Sequence, residues 1–337
     1  MPRARRSRFA AVVYNPAKAA RAKLAPLVDR TATDSGWGST QWFPTDPDDA
    51  GVKATRRALE SGCALVMVSG GDGTVRTAAE VLADTDIPMA ILPQGTANVF
   101  ARNLGMRVPA LGRAVESAFH GEDRRVDLGE AVITAPDGTT STGPFLVVAG
   151  IGLDGEIMAR TTPVEKRLLG WLGYISAAVR VFNGDTKVRT QIEVAGRETR
   201  TTRASMTLVC NCGFQPGNVL LVPGAEIDDG QLDILSVSPR RFRDWVGIVW
   251  RVLVDHRLSQ TAAGSVFVQL AGTRKLRALA YAQGEEVALT TASPREVELD
   301  GDPVGQAKRL ECRVRQGALL VRVPRSGRMR TTGESPA

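Results

Sequence analysis

Two stretches in the first third of the chain carry residues able to do phosphate chemistry. Val68-Ser69-Gly70-Gly71-Asp72-Gly73-Thr74-Val75 is followed, about twenty residues later, by Leu92-Pro93-Gln94-Gly95-Thr96-Ala97-Asn98-Val99-Phe100-Ala101-Arg102. Each reads as an apolar strand, a glycine-containing loop and a helix. Glycines let backbone amides wrap a phosphate, and a carboxylate beside them, here Asp72, can hold a metal. Thr74 would open a helix whose positive end faces that anion. Two such loops on neighbouring strands point to a nucleoside triphosphate. Packing is the competing use of a glycine-rich strand–helix turn.

Asn15-Pro16-Ala17-Lys18 and Thr45-Asp46 also follow expected strands. Four polar loops then converge on the carboxyl edge of one sheet, where open parallel sheets bind ligands. Thr45 taken alone reads as an ordinary turn residue.

The elements that must position these loops alternate regularly. Strands are expected at Phe9–Tyr14, Thr40–Phe43, Ala64–Val68 and Pro88–Leu92. Helices are expected at Ala17–Arg30 (interrupted early by Pro26), Gly51–Ser61, Val75–Leu82 and Ala97–Leu104. Val75, Ala78, Ala79 and Leu82 follow the i, i+3, i+4, i+7 pattern. Such alternation predicts a doubly wound α/β domain with a parallel sheet. After Val126 the texture changes to short apolar runs separated by Gly, Pro and Asp. These are Phe145–Ala149, Ser205–Cys210, Leu232–Val237, Val266–Leu270, Val287–Thr290, Arg313–Val314 and Leu319–Val323. They predict an antiparallel β-sandwich, with helical stretches at Val164–Phe182 and Phe242–Leu258. The expected division is an α/β domain over 8–126 and a sandwich over 127–314. The tails 1–7 and 325–337 are expected to be disordered by composition.

The 337 residues are 43% hydrophobic, enough for two cored domains. Lys and Arg number 43 against 36 Asp and Glu. A basic excess suits a phosphorylated substrate, an anionic membrane surface or nucleic acid, and also arises by drift. Aromatics are only 5% of the chain and no nucleic-acid motif occurs, which argues against the last. Cys63, Cys210, Cys212 and Cys312 form no C-x-x-C pair and read as buried thiols of a reducing compartment, not a zinc site. The start lacks a signal-peptide core, and no apolar run reaches bilayer length. A cytoplasmic protein is expected, touching the inner face of the membrane peripherally if at all. His120 and His256 have no triad partners in evident motifs, so Ser-His-Asp hydrolysis is not expected.

Asn15-Pro16, Gly70-Gly71-Asp72-Gly73-Thr74, Leu92-Pro93-x-Gly95-Thr96-x-Asn98 and Phe100-Ala101-Arg102 together resemble the diacylglycerol kinase catalytic-domain family, which includes bacterial lipid kinases and sphingosine kinases. Asp228-Asp229-Gly230 resembles its late Asp-Asp-Gly segment, and Asp300-Gly301-Asp302 its Asp-Gly-Glu segment. The matches run in family order from about residue 9 to 323. The first loop also occurs in NAD kinases and phosphofructokinases; the Gly-Thr-x-Asn and Ala-Arg stretch separates this chain from those.

The resemblance implies an active site in the cleft between the two domains, with the last strand, about 315–324, returning to the first. It implies ATP and Mg²⁺, the γ-phosphate passing to a lipid hydroxyl, most simply that of diacylglycerol to give phosphatidic acid for phospholipid biosynthesis. Asp72 would act through the metal or its waters. Asn15, Pro16, Thr45, Gly70, Gly71, Gly73, Thr74, Gly95, Thr96 and Asn98 would line the nucleotide, with Lys18 and Arg102 as phosphate contacts. Asp228 and Asp229 would form a separate magnesium site, although a carboxylate pair before Gly also suits a plain β-turn. Asp302, with Asp300 or Asp127 in support, would take the hydroxyl proton. Three departures stand out: Val99 and Thr77 occupy places where the family often has an acid, and Asp302 is one methylene shorter than the family's Glu. A kinase of a soluble acceptor such as NAD, and a lipid-binding protein without turnover, are the rival readings. The lipid substrate would be met at a membrane surface. Phe242, Trp245 and Trp250 beside Arg240, Arg241, Arg243 and Arg251 suit an interfacial helix, although a core helix with solvated arginines is the preferred reading. A homodimer through sheet edges leaves no trace in the sequence, so the oligomeric state stays open.

Overall fold

The structure is a computed structural model. It describes residues 8–17, 21–46, 48–95, 97–106, 108, 110–152, 187–215, 219–220, 222, 225–237 and 279–325. The helices expected at Val164–Phe182 and Phe242–Leu258, the strand at Val266–Leu270 and the two tails, apart from Arg325, lie outside these residues.

The first part of the chain runs β1 (Ala10–Tyr14), α1 (Arg21–Asp34), β2 (Gln41–Pro44), α2 (Val52–Glu60), β3 (Leu65–Gly70), α3 (Asp72–Leu82), β4 (Met89–Pro93), α4 (Val99–Asn103) and α5 (Leu111–His120). β1 pairs in parallel with both β2 and β3, and β3 pairs in parallel with β4. β1, β3 and β4 are almost wholly buried, as strands covered by helices on both faces must be. α2 packs on α3, and α1 packs on α5, which lies on β4. The strand order 2-1-3-4 reverses direction between β1 and β3, so the crevice beyond their carboxyl ends is the topological switch point.

Several elements differ from expectation for local reasons. α1 passes through Pro26 instead of breaking there. The ring lies on the exposed face, so water can serve the carbonyl left without an amide partner. α3 begins three residues early and takes in Asp72 and Gly73. α5 was not anticipated, although Leu111, Ala114, Val115, Ala118 and Phe119 carry helical spacing, and the last four are buried.

The second part comprises β5 (Glu122–Thr134), β6 (Thr140–Phe145), β7 (Val148–Gly152), β8 (Val188–Val194), β9 (Arg200–Ala204), β10 (Met206–Cys210), β11 (Phe214–Gln215), β12 (Val219–Leu220), β13 (Leu232–Val237), β14 (Leu279–Gly284), β15 (Glu286–Leu299) and β16 (Asp302–Val323). Its strand pairings are antiparallel, and it forms the C-terminal sandwich-like unit. Its core gathers Phe145, Ile151, Val209, Ile234, Leu289 and Leu310. β5 and β16 pair over most of their length and cross the position where the texture changes. At its far end β16 pairs in parallel with β4 through Val321 and Met89, which joins the two units into one hydrogen-bonded sheet of fourteen strands. The runs Arg313–Val314 and Leu319–Val323 belong to this one strand, interrupted by a bulge between Arg315 and Leu319. Gly317 sits in the bulge with φ +59°.

The run expected as a single strand at Phe145–Ala149 is divided between β6 and β7. Both carboxylate oxygens of Asp300 are the reason: they accept the amides of Leu146, Val147 and Val148 at 2.8–3.0 Å. Those amides are thereby withdrawn from any ladder. All four cysteines are free and buried. Among the described residues no helix is long and apolar enough to cross a membrane.

Candidate active site

The switch point brings the loops after β1 and β3 together. The amide of Asn15 donates to the carbonyl of Ser69 at 3.0 Å. The Asn15 Oδ1 turns back to accept the Ala17 amide at 3.0 Å, which fixes the start of the first loop. The loop after β2 joins them: the Thr45 amide donates to the Tyr14 carbonyl at 2.9 Å, and Thr45 is buried. Pro16 is exposed beside Asn15. Lys18 and Thr96 lie outside the described residues.

Beyond β3 the chain enters α3 at once. Gly71 is the N-cap, with extended backbone, and as a glycine it offers the amides of the first turn no side-chain cap. Such an end favours an anion through its free donors and its dipole. A Cβ on Gly70 would lie 2.7 Å from the Thr74 Cβ, and one on Gly95 would lie 2.8 Å from the Gly71 Cα. Packing therefore accounts for Gly70 and Gly95: the two glycine loops touch backbone to backbone. Gly73 differs. The nearest atom to a Cβ there would be Asp302 Oδ2, at 3.5 Å. A side chain at 73 would stand between the glycine loop and that carboxylate.

Asp72 is aimed sideways, not outward. Its Oδ1 accepts the Val99 amide at 2.7 Å and so caps α4. The helix needs this: its own N-cap residue, Asn98, is in the left-handed region at φ 46° and gives no capping bond. The Asn98 side chain instead closes its loop, taking the Gly95 amide at 3.0 Å and donating to the Gly95 carbonyl at 2.6 Å. Arg102 Nε likewise donates to the Ala97 carbonyl at 2.9 Å. Burial pushes the Asp72 carboxyl up from its ordinary value, against the opposing pull of the Val99, Phe100 and Asn98 amides.

The second unit contributes Asp302. The β15–β16 turn is made by Asp300 at φ 51° and Gly301 at φ 85°, and it delivers Asp302 to the first turns of α3. Arg76, on that helix, donates to Asp302 Oδ2 at 2.8 Å and to the carbonyl of Leu299. The Arg76 side chain is 16% exposed and that of Asp302 is 58% exposed. Reading the sequence missed Arg76. Its one signal was its place four residues after Asp72, on the same helical face.

The other candidate carboxylates are engaged within the protein. Asp300 holds the β6–β7 turn, as described; burial raises its carboxyl, and the three amides and Arg76 oppose this. Asp127 accepts the amides of Gly230 and Gly317 at 2.7 Å each, tying the loop before β13 to the bulge of β16. Burial raises its carboxyl too. Neither is free to support Asp302. Asp228 pairs with Arg124 at 2.6 Å, and Asp229 Oδ1 accepts the Gln231 amide at 2.9 Å. Glu298, two residues before Asp300 on β15, is pushed up to about 7 by burial and then by Asp300 and Asp302.

No three His, Cys, Asp or Glu side chains among the described residues are grouped to hold a metal. Asp72, with Oδ1 bonded to the Val99 amide, would offer a magnesium ion a single carboxylate, the remaining ligands then coming from nucleotide oxygens and water. Val99 offers no second carboxylate beside it.

Residues 10–131 match the diacylglycerol kinase catalytic domain. Residues 147–323 match the YegS C-terminal NAD kinase beta sandwich-like domain. A Pseudomonas aeruginosa protein named a probable lipid kinase, YegS-like, is 30% identical over 275 residues, covering 81% of this chain and 80% of that protein. The chain belongs to the diacylglycerol kinase catalytic-domain family. Another relative of this family member, an uncharacterised Synechocystis protein, is 28% identical over 77% of the chain, which spans 56% of that protein's length. The crystal structure of a diacylglycerol kinase from Bacillus anthracis superposes with a TM-score of 0.68 at 21% identity, covering 95% of this chain and 98% of the other. That likeness shows the shared fold. The family expected from the motifs is thus the family found.

Proposed function

We propose that the chain is an ATP-dependent lipid kinase, with diacylglycerol as acceptor and phosphatidic acid as product. The observation that carries this is the placement of Asp302. A half-exposed carboxylate from the second unit is bonded to Arg76 of α3 and lies 3.5 Å from where a Cβ on Gly73, in the first turn of that helix, would stand. Phosphoryl transfer is mostly positioning and charge stabilisation, and it needs donors around the phosphates and an acceptor for the hydroxyl proton. The uncapped start of α3 supplies the donors. Asp302 supplies the proton acceptor, with its Oδ1 unbonded among the described residues. Magnesium, when bound near Asp72, would offset charge on the phosphates. The lipid would be met at a membrane surface, where a net charge of +7 favours anionic headgroups.

A second reading, a kinase of a soluble acceptor, is favoured by the NAD kinase-like character of the matched C-terminal domain. Transfer of labelled γ-phosphate from ATP to a panel of diacylglycerol, other lipid alcohols and NAD separates the two. Label in phosphatidic acid is the expected result. Label in NADP alone would favour the soluble acceptor. ATP binding with no labelled product would leave a lipid-binding protein without turnover.

A further inference from the structure

We propose that Arg76 is a positioning residue that sets Asp302 for proton transfer by clamping the β15–β16 turn onto α3. The proposal rests on the kinase reading and assigns a role to a residue outside the motifs that led to it. The guanidinium is mostly buried and bridges two acceptors from one turn: the Leu299 carbonyl at its entry and Asp302 Oδ2 at its exit. A planar fork with fixed donor directions can hold both at once; a single ammonium cannot do so in the same geometry. Asp300 already ties the turn backbone to the β6–β7 turn, but those bonds do not hold the half-exposed Asp302 side chain, which Arg76 takes. Arg76 takes only Oδ2, leaving Oδ1 to face an incoming hydroxyl. Asp302 is a short carboxylate, so its distance from the loop depends on where the turn backbone sits; the Asp300 carboxylate fixes that backbone to the amides of Leu146, Val147 and Val148, and the Arg76 bond to the Leu299 carbonyl fixes it to α3. Arg76 and Asp72 extend from one helix, so the same element places the phosphate loop and the proton acceptor.

The test is a double-mutant cycle on the full chain with ATP and diacylglycerol. Arg76→Ala is expected to lower kcat by about 10- to 100-fold, with KM for ATP changed less than about twofold, the pattern of a lost transition-state arrangement. Arg76→Lys should recover part of that loss. In an Asp302→Asn background, Arg76→Ala should cost little more, because Arg76 acts through Asp302. An equal loss in both backgrounds, or an unchanged kcat, overturns the proposal. Hydrogen exchange across 299–303 gives a readout that does not need turnover: Arg76→Ala and Arg76→Lys should each speed exchange there, Arg76→Ala by more than about tenfold. Should the wild type transfer phosphate to nothing, the kinase reading fails on its own, and unchanged exchange at the turn would separately refute the clamp.

Discussion

Asp72 has two jobs in this structure, and they can be separated by substitution. Its Oδ1 caps α4 through the Val99 amide, and its charge stands beside the glycine loop proposed to bind phosphate. Asp72→Ala removes both. Loss of a helix cap costs typically about 1 kcal/mol and up to about 2. A hydrogen bond to a charged group is worth about 1.5–3 kcal/mol, but here burial of the carboxylate offsets part of it. The expected loss is therefore about 1–2 kcal/mol. For a chain of 337 residues unfolding as one unit, that is a fall in Tm of about 1–3 °C. Asp72→Asn keeps an oxygen that can accept the Val99 amide and removes the charge. Its stability should lie within about 0.5 kcal/mol of the wild type. Both variants should lose γ-phosphate transfer by about 10²-fold or more, the scale of removing one electrostatic stabiliser. Thermal unfolding and labelled transfer, run on the same preparations, give both numbers. Full transfer by Asp72→Asn would show that the residue is a cap and nothing else. Unchanged stability of Asp72→Ala would show that the cap bond carries no weight.

Three further perturbations probe the frame around the site. Gly95→Ala forces a Cβ to 2.8 Å from the Gly71 Cα, so the two loops must part; about 1–3 kcal/mol of stability should go, together with affinity for an ATP analogue, measured by calorimetry. Unchanged affinity would mean that contact between the loops does not shape the nucleotide site. Asp300→Ala strands three amides of the β6–β7 turn and should cost more than about 3 kcal/mol in denaturant unfolding; a loss under about 1 kcal/mol would contradict its role as the turn's anchor. Glu298 titrates near 7 when folded, above the ordinary glutamate value, so the folded state binds its proton more tightly than the unfolded. Its stabilising contribution is complete below about pH 4.5 and is lost as pH rises through about 7. Glu298→Gln should thus be more stable than wild type at pH 8 by about 3 kcal/mol and equal to it near pH 4. Parallel stability–pH curves for the two proteins would refute this. Asp233, raised to about 6 by burial, adds a trend of the same sign in both.

The α/β half was legible because its strands are continuous apolar runs and its loops carry glycine where backbones meet. Gly70, Gly71 and Gly95 marked the place without any knowledge of the contacts they make. What the sequence could not show is which carboxylates are already engaged. Asp127, Asp300 and Asp302 look equivalent as letters; in space the first two hold backbone amides and only the third is half-exposed. That difference depends on pairings separated by about 100 to 190 residues, such as Asp127 with Gly230 and Gly317. Pro26 misled because propensity does not report which face of a helix meets water. The hairpin of β8 and β9 escaped notice because its alternating Arg, Thr, Gln and Glu leave no apolar run, although Val188, Thr190 and Val194 are buried. Arg76 escaped because an arginine on a helix is ordinarily solvated; its partner arrives from a turn more than 220 residues away.

The most direct measurement is a crystal structure of the chain with a non-hydrolysable ATP analogue, magnesium and diacylglycerol. The triphosphate is expected against the backbone amides of Gly71, Asp72 and Gly73, its γ-phosphorus facing the acceptor hydroxyl and that hydroxyl within hydrogen-bond reach of Asp302 Oδ1. A triphosphate bound elsewhere, or a hydroxyl held away from Asp302 with the loop amides bonded only to protein, would contradict it.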